Sequence, residues 1–194
     1  ELPPPAYDLL PKLKTHYWPY FNNIQGYPAF SIIVSRGCPH QCRFCDRSVF
    51  GNTFTKHSPK FVVDLIERMV KVHGIKYLVF DDDNLLLDGD YLMEIMGLIR
   101  SRKIKIRFTC ESRVDTIDHE RLRELKAAGC REIMYGIESG STKMLKLMNK
   151  NVSKDQVRYA VRMTKEHSID VLGYFILGYP GETEETMQET VDFI

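Results

Sequence analysis

Residues 30–45 read FSIIVSRGCPHQCRFC and join an apolar run to three closely spaced cysteines, Cys38, Cys42 and Cys45. The β-branched run predicts a buried strand, and the cysteines lie on the loop that leaves it. Three thiolates at this spacing on one loop reach three corners of an iron–sulfur cube, whereas a closed four-iron site needs four thiolates. The spacing therefore predicts a cluster with one open iron, and a free coordination position is typical of catalytic metal sites.

After this loop, strand patterns alternate with helical patterns along the rest of the chain. The predicted strands cover residues 31–35, 77–80, 104–110, 132–137 and 171–177. Alternating strands and helices favour a parallel sheet with right-handed crossovers, whose strands are buried on both faces. The sequence therefore predicts an α/β fold of about five βα units that closes toward a barrel.

Local capping residues predict where several helices begin and end. Ser58, followed by proline, starts the first helix, and Asp118 precedes a helix that stops at Gly129. Ser153 and Gln156 have the spacing of a capping box and start a helix that extends to about residue 167.

The composition excludes several classes of function. The 194 residues are 43% apolar and 27% charged, which is typical of one globular domain with a sizeable core. A net charge of +1, from 27 basic and 26 acidic residues, gives no general attraction for a nucleic-acid backbone. No apolar run approaches the roughly 18 residues of a membrane span, and the Pro-rich start is not a signal peptide. We therefore expect a cytoplasmic protein with no membrane partner and no indicated nucleic-acid partner.

Polar residues follow each of the other predicted strands at the point where the strand ends. They are Asp81-Asp82-Asp83-Asn84, Glu111-Ser112-Arg113, Gly136-Ile137-Glu138-Ser139-Gly140 and Gly178-Tyr179-Pro180-Gly181-Glu182-Thr183. In parallel barrels the loops at the carboxyl ends of the strands converge on one mouth, where the working residues cluster. We therefore expect these groups to share one site with the cysteine loop.

In this order, the cysteine loop and the four strand-end motifs resemble the radical S-adenosylmethionine (SAM) enzymes over about residues 30–194. The resemblance implies a partial (β/α)6 barrel related to the TIM barrel, truncated here to about five units. It also implies that Cys38, Cys42 and Cys45 bind a [4Fe-4S] cluster whose open iron is chelated by SAM. One electron, from a donor such as flavodoxin or ferredoxin, then cleaves SAM into methionine and a 5′-deoxyadenosyl radical, which abstracts hydrogen from a substrate.

The same resemblance implies which residues contact the adenine and the amino group of SAM. Phe44 and Ile176 stand where the family places apolar residues beside the adenine. Shielding of the cluster is an alternative for Phe44, and core packing is an alternative for Ile176. Asp82, Asp83 and Asn84 match the acidic turn that binds the α-amino group, and adjacent carboxylates stay ionised together when a cation lies between them. A solvated turn that caps the next helix is the alternative for these three.

The later motifs correspond to the carboxylate and the ribose of SAM. Arg113 has the guanidinium geometry that matches a carboxylate of SAM or of the substrate, although an ion pair with Glu111 or Asp115 is an alternative. Glu138 and Ser139 match the segment that contacts the ribose hydroxyls in the family.

Other interpretations of the cysteines remain open in the sequence. A zinc site with His40 or His57 as fourth ligand has suitable residue types, and Cys110 is available to close an iron–sulfur carrier without radical chemistry. A disulfide framework is disfavoured, because the number of cysteines is odd and no secretory signal is present. Cys110 and Cys130 are otherwise expected to be buried strand residues.

The substrate depends on segments outside the common core. Residues 1–29 are expected to form an arm, and part of it is similar to the segment that joins a cobalamin-binding domain to a radical SAM domain. Residues 30–194 are expected to form the core domain, truncated at its C-terminal end, where an amphipathic helix over 183–194 lacks a capping glycine. These features favour the core of a cobalamin-dependent methyltransferase, with cobalamin bound in a longer parent protein. A methylthiotransferase acting on tRNA or protein is the alternative within the enzyme class.

Overall fold

The computed structural model describes residues 5–10 and 29–194. Most of the predicted arm over residues 1–29 therefore lies outside the described residues. In the described part, Tyr7–Leu9 form a short 3-10 helix. The Tyr7 side chain is buried, and its ring packs edge-on against the ring of Phe30, with centroids 5.0 Å apart. Residues 5–10 thus contact the start of the first strand.

The described residues form seven strands and six α-helices. The strands are β1 (Ala29–Ile32), β2 (Ser35–Arg36), β3 (Thr55–Lys56), β4 (Tyr77–Phe80), β5 (Arg107–Ser112), β6 (Cys130–Glu138) and β7 (Asp170–Phe175). The helices are α1 (Pro59–Lys71), α2 (Gly89–Ser101), α3 (His119–Ala128), α4 (Thr142–Leu147), α5 (Lys154–Glu166) and α6 (Glu184–Phe193).

Five of the strands form one parallel sheet in the order β1-β4-β5-β6-β7. A helix follows each strand of this sheet before the next one begins, so the chain consists of five successive βα units. The predicted α/β fold with five parallel units is confirmed. Because all five strands run in the same direction, their carboxyl ends lie at the same edge of the sheet.

The first strand differs from its prediction. It was expected over residues 31–35, but β1 spans Ala29–Ile32 and pairs with β4. Ser35 and Arg36 instead form β2, which pairs antiparallel with Thr55 and Lys56 of β3. This second, two-stranded sheet closes the base of the cysteine loop. A two-residue strand has too few positions to show an alternating pattern, so sequence periodicity does not reveal it.

The third predicted strand also starts later than expected, because residues 102–104 complete the end of α2. The backbone N–H of Ile104 donates to the Ile99 carbonyl at 3.1 Å, and Lys103 has a left-handed backbone with φ of 55°. The strand β5 therefore begins at Arg107.

The capping predictions are confirmed. Ser58 and Asp118 accept hydrogen bonds from backbone N–H groups in the first turns of α1 and α3, at 3.3 and 2.8 Å. Ser153 and Gln156 form the reciprocal pair of a capping box at α5, at 3.1 and 2.7 Å. Gly129 ends α3 with φ of 116°, where a Cβ would overlap the Ile106 carbonyl oxygen. The short helix α4 was not predicted.

The core lies between the sheet and the helices that pack on it. The rings of Phe80 in β4 and Phe108 in β5 meet edge-on, with centroids 5.2 Å apart. Cys110 and Cys130 are fully buried in β5 and β6, which confirms their interpretation as core residues. In the part of the chain that the structure describes, none of the helices has the length and apolar character needed to cross a bilayer.

Candidate functional site

A cavity of about 210 Å³ opens at the carboxyl edge of the parallel sheet. It is lined by Cys38, His40, Cys42, Phe44, Cys45, Asp83, Glu111, Ser112, Arg113, Met134, Gly136, Glu138, Lys150 and Tyr174. These residues come from the cysteine loop, from the end of β4, β5, β6 and β7, and from the segment after α4. The predicted convergence is therefore present for the cysteine loop and for the groups that follow β4, β5 and β6. The predicted group over residues 178–183 does not line the cavity, and β7 contributes Tyr174 instead.

All three cysteines of the loop line this cavity and are free thiols. Cys42 is the most enclosed, with 7% of its surface exposed, whereas Cys45 is exposed and Cys38 is intermediate. Burial raises the pKa of the Cys38 thiol, and the nearby positive charge of Arg113 acts in the opposite direction. Since metal binding needs thiolates, this guanidinium favours the form of the side chain that binds iron.

Gly37 sets the path of the chain into the loop. Its φ of 82° lies in the left-handed region, and a Cβ at this position would overlap the Thr53 carbonyl oxygen, so glycine is required here. The Gly37 N–H donates to Asp83 Oδ2 at 2.8 Å. The acidic residue after β4 thus fixes the start of the cysteine loop.

The thiol set fits a cluster better than it fits a zinc ion. A single ion needs its ligands to converge on one point, whereas the three thiolates of a cluster bind three different irons. Within residues 5–10 and 29–194, no group of three or more His, Cys, Asp or Glu side chains is placed to hold one metal ion. His40 lines the cavity, but His57 lies elsewhere, with Nε2 3.2 Å from an Arg36 guanidinium nitrogen. Cys110 is buried in the core and does not line the cavity.

The acidic turn after β4 separates into an inner and an outer set of side chains. Asp83 is exposed and lines the cavity, but Asp82 and Asn84 are buried and do not. Asn84 Oδ1 accepts a hydrogen bond from the Ser112 hydroxyl at 3.3 Å. Of the three residues expected to meet the amino group of SAM, the fold brings only Asp83 to the cavity.

Asp82 connects β4 to the segment after β1. Its Oδ1 accepts from the Val34 N–H at 3.1 Å, from the Ser35 hydroxyl at 2.6 Å and from the Ser35 N–H. Its Oδ2 is buried with no hydrogen-bond partner among the described residues. Burial raises the pKa of Asp82 from 3.8 to about 6, although the hydrogen bonds from Ser35 and Val34 act in the opposite direction.

Arg113 forms the ion pair that the sequence offered as an alternative. Its Nε and Nη2 donate to the two carboxylate oxygens of Asp115 at 2.9 and 2.8 Å. Nη2 also donates to the Lys150 carbonyl at 2.9 Å, and Nη1 lies 3.6 Å from Cys42 Sγ. The guanidinium therefore borders the cluster loop with most of its donors already engaged.

Glu138 and Lys150 form a buried ion pair in the wall of the cavity. Lys150 Nζ lies 2.8 Å from Glu138 Oε1, and the two side chains are 6% and 8% exposed. Lys150 Nζ also lies 5.6 Å from the centre of the Phe44 ring, within reach of a cation–π contact. Glu138 has φ of 70° at a point where the β6–β7 pairing shifts register. Sequence reasoning missed Lys150, since a lone lysine between two asparagines carries no pattern.

Ser139 and Ile176 do not line the cavity. The Ser139 hydroxyl is fully buried and shares a hydrogen bond with the Thr190 hydroxyl at 2.9 Å, which ties the end of β6 to α6. Ile176 is partly buried, and its N–H donates to the Glu138 carbonyl at 2.9 Å. In this fold both residues position Glu138 and its strand.

The wall formed by β5, β6 and β7 contributes Glu111, Met134 and Tyr174. The Tyr174 hydroxyl lies 3.4 Å from Glu111 Oε1 and 3.1 Å from Met134 Sδ. Burial and the nearby charge of Asp81 raise the pKa of Glu111. The sequence placed Glu111 in a strand-end motif, but Tyr174 and Met134 were missed because they lie within predicted strands and look like core residues.

A family model described as the radical SAM superfamily matches residues 32–194. The chain belongs to the radical SAM superfamily. The chain is 34% identical to an uncharacterised methyltransferase of Pyrococcus horikoshii over 194 residues, which is all of this chain and 41% of that protein. This radical SAM chain therefore spans less than half the length of that relative.

Solved structures share the fold of this radical SAM domain. A cobalamin-dependent SAM radical enzyme, OxsB, with aqua-cobalamin and SAM bound, has a TM-score of 0.78 at 23% identity, over 85% of this chain and 26% of that chain. The radical SAM methyltransferase TsrM from Kitasatospora setae, with tryptophan and a SAM analogue bound, has a TM-score of 0.78 at 24% identity, over 84% of this chain and 33% of that chain.

Membership of the superfamily confirms the main functional prediction from the sequence. The domain is the core of an enzyme that uses a [4Fe-4S] cluster and SAM. An iron–sulfur carrier without radical chemistry is correspondingly disfavoured.

Proposed function

We propose that this radical SAM domain is the catalytic core of a cobalamin-dependent methyltransferase. The observation that carries the proposal is the cavity in which three free thiols lie beside both acidic and basic side chains at the carboxyl edge of the sheet. The methyltransferase name of the Pyrococcus relative and the cobalamin-dependent enzyme of the same fold support this class of reaction.

In this proposal Cys38, Cys42 and Cys45 bind three irons of the cluster. When bound, the cluster supplies the single electron that cleaves SAM into methionine and a 5′-deoxyadenosyl radical. Arg113 lies next to Cys42 and balances the negative charge of the thiolates. With Phe44 beside the same loop, the apolar ring limits access of water to this side of the cavity.

The charges of the cavity suggest how SAM is oriented. Lys150 and Arg113 are the cations of the cavity wall that could meet the carboxylate of SAM, and each is already paired with a carboxylate of the protein, Glu138 and Asp115 respectively. Asp83 and Glu111 line the cavity as carboxylates and are available to the α-amino group. Glu138 is suited to accept hydrogen bonds from the ribose hydroxyls, as expected from the sequence. Asp82, Asn84, Ser139 and Ile176 then act through the residues that they position.

The remaining partners follow from this chemistry. A reduced protein such as flavodoxin or ferredoxin is the proposed electron donor, since the cluster must be reduced by one electron in each cycle. Free cysteines and a cluster sensitive to oxygen support a cytoplasmic location. Residues 1–29 are proposed as the arm that joins residues 30–194 to a cobalamin-binding domain of a longer parent protein.

Anaerobic reconstitution with iron and sulfide tests the cluster site. The wild-type chain should take up about four irons, and SAM should perturb the EPR signal of the reduced cluster. Cys42→Ala should abolish stable iron binding, while Cys130→Ala, which removes a buried core thiol, should retain it. Tight zinc binding without iron uptake would overturn the proposal.

The methyltransferase assignment is tested in the parent protein with cobalamin. Methyl transfer consumes a second SAM, whose methyl group passes to reduced cobalamin and leaves S-adenosylhomocysteine. Labelled methyl groups of SAM should therefore appear in methylcobalamin and then in product. A reconstituted parent that cleaves SAM but never transfers a labelled methyl group would refute the methyltransferase assignment and leave the cluster site intact.

A further inference from the structure

The end of the short helix α4 lies directly against the cysteine loop, although the two segments are far apart in sequence. We call residues 147–150 the α4 tail. The backbone N–H of Arg43 donates to the Met148 carbonyl at 2.8 Å, and the Arg43 guanidinium donates to the Leu147 carbonyl at 3.2 Å. The side-chain amide of Asn149 donates to the Gln41 carbonyl at 2.7 Å. Two residues that flank Cys42 are thus bound to consecutive residues of the tail.

The geometry of a helix end explains why this segment can bind another loop. The last carbonyls of a helix have no partner within the helix, so they are available to donors from elsewhere. Met148 is fully buried, which fixes the tail in the core. Asn149 adopts a left-handed backbone with φ of 52°, and its amide points to Gln41.

A second connection runs through Arg113. Its Nη2 donates to the carbonyl of Lys150 at 2.9 Å, and its Nη1 lies 3.6 Å from Cys42 Sγ. Cys42 is therefore enclosed by contacts to the residues on both sides of it and by a contact to its own sulfur. This agrees with its burial relative to Cys38 and Cys45.

We propose that the α4 tail is a splint that holds the Cys42 segment in its cluster-binding conformation, with Asn149 as the positioning residue. The inference rests on the proposed cluster site. A loop that must become ordered when metal binds loses conformational entropy at that moment, and a loop already held by the fold loses less. The splint should therefore slow the escape of iron and limit access of reagents to Cys42, even before metal is present.

The chain offers a matched pair of variants for the test. Asn149 and Lys103 both have left-handed backbones, with φ of 52° and 55°, so glycine is tolerated at either position. Lys103 is exposed in the turn after α2, where its N–H donates to the Arg100 carbonyl at 2.9 Å. Asn149→Gly removes the contact to Gln41, and Lys103→Gly serves as the control.

The first measurement is the rate of Cys42 alkylation by iodoacetamide in the metal-free chain, followed by peptide mass spectrometry. The second is the rate of iron loss from the reconstituted chain to a chelator. Asn149→Gly should raise both rates about fivefold, the factor that corresponds to the loss of one typical hydrogen bond. Lys103→Gly should match the wild type in both, and the urea midpoints of the two variants should agree.

Equal alkylation rates in Asn149→Gly and the wild type would overturn the splint. If Asn149→Gly fails to fold, Asn149→Asp decides, because it keeps the shape and the turn but has no donor for the Gln41 carbonyl. The alkylation measurement needs no metal. A wild-type chain that takes up no iron would therefore refute the proposed function, while the alkylation rates would still decide the splint.

Discussion

Replacing Asp82 by asparagine should make this domain more stable at neutral pH and leave its stability almost unchanged below pH 3.8. Asp82 is buried, its Oδ2 has no partner among the described residues, and its pKa is raised from 3.8 to about 6. Asparagine has the same shape and keeps an oxygen that can accept from Val34 and Ser35. It carries no charge that must be buried.

The sign and the size of the effect follow from the raised pKa. The folded state binds the proton of Asp82 more tightly than the unfolded chain, so the associated stability is present below pH 3.8 and is lost as pH rises through about 6. The rise of the pKa from 3.8 to about 6, at about 1.4 kcal/mol for each tenfold change in proton affinity, corresponds to about 3 kcal/mol. The free energy of unfolding of Asp82→Asn should therefore exceed that of the wild type by about 3 kcal/mol at pH 7.5.

Urea unfolding of both proteins at several pH values between about 3.5 and about 8 measures this difference. Subtracting the two curves removes the contributions of other titrating groups, because both proteins share them. A difference that does not change with pH would refute the argument that Asp82 is buried with a raised pKa. SAM affinity of the same variant is informative as well, since it should persist if Asp82 positions the loop and should be lost if Asp82 binds the amino group.

Two further substitutions test the cavity and the entry to the cysteine loop. Lys150→Met should destabilise the domain by about 3–5 kcal/mol, because it leaves the buried Glu138 carboxylate unpaired, and adding Glu138→Gln should recover much of this loss in urea unfolding. If Lys150→Met were as stable as the wild type, Lys150 and Glu138 would not form a buried ion pair. Gly37→Ala should cost about 1–3 kcal/mol from its backbone conformation alone and reduce iron uptake, since a Cβ would also overlap Thr53. In contrast, Gly97→Ala, in an open position of α2, should raise the unfolding free energy by about 0.5–1 kcal/mol. If the two substitutions changed the unfolding free energy equally, the conclusion that position 37 requires glycine would be wrong.

Features that depend on neighbouring residues were predictable from the sequence. The capping residues Ser58, Asp118 and Ser153 occupy the predicted positions, because a cap is formed by residues three apart. The strand Tyr77–Phe80 agrees with its prediction to the residue, since all four side chains are buried and apolar. The strand order also follows from simple rules for successive βα units.

Features that depend on side-chain direction were not predictable. The motif after β4 places four polar residues in sequence, yet the chain turns at Asp83 and Asn84, so the side chains do not share one direction. Asp82 and Asn84 therefore turn inward, and only Asp83 faces the cavity. A motif gives the residues near a ligand but does not say which of them touch it.

Contacts between segments that are distant in the sequence were also not predictable. Lys150 reaches the cavity because the unpredicted helix α4 and the turn after it bring it to Glu138. The contact spans 12 residues and has no periodic pattern. Similarly, the pairing of Ser35 and Arg36 with β3 depends on the path of the whole cysteine loop.

The register shift between β6 and β7 has a consequence for reading related sequences. Gly136 pairs with Tyr174 and Glu138 pairs with Phe175, so two steps along β6 oppose one step along β7. The extra residue changes which side chain faces the cavity. A relative that lacks one residue here would regain a regular ladder and present the neighbouring position to the ligand. Gap placement at Ile137, and not residue identity alone, thus decides whether an aligned glutamate is the functional equivalent of Glu138.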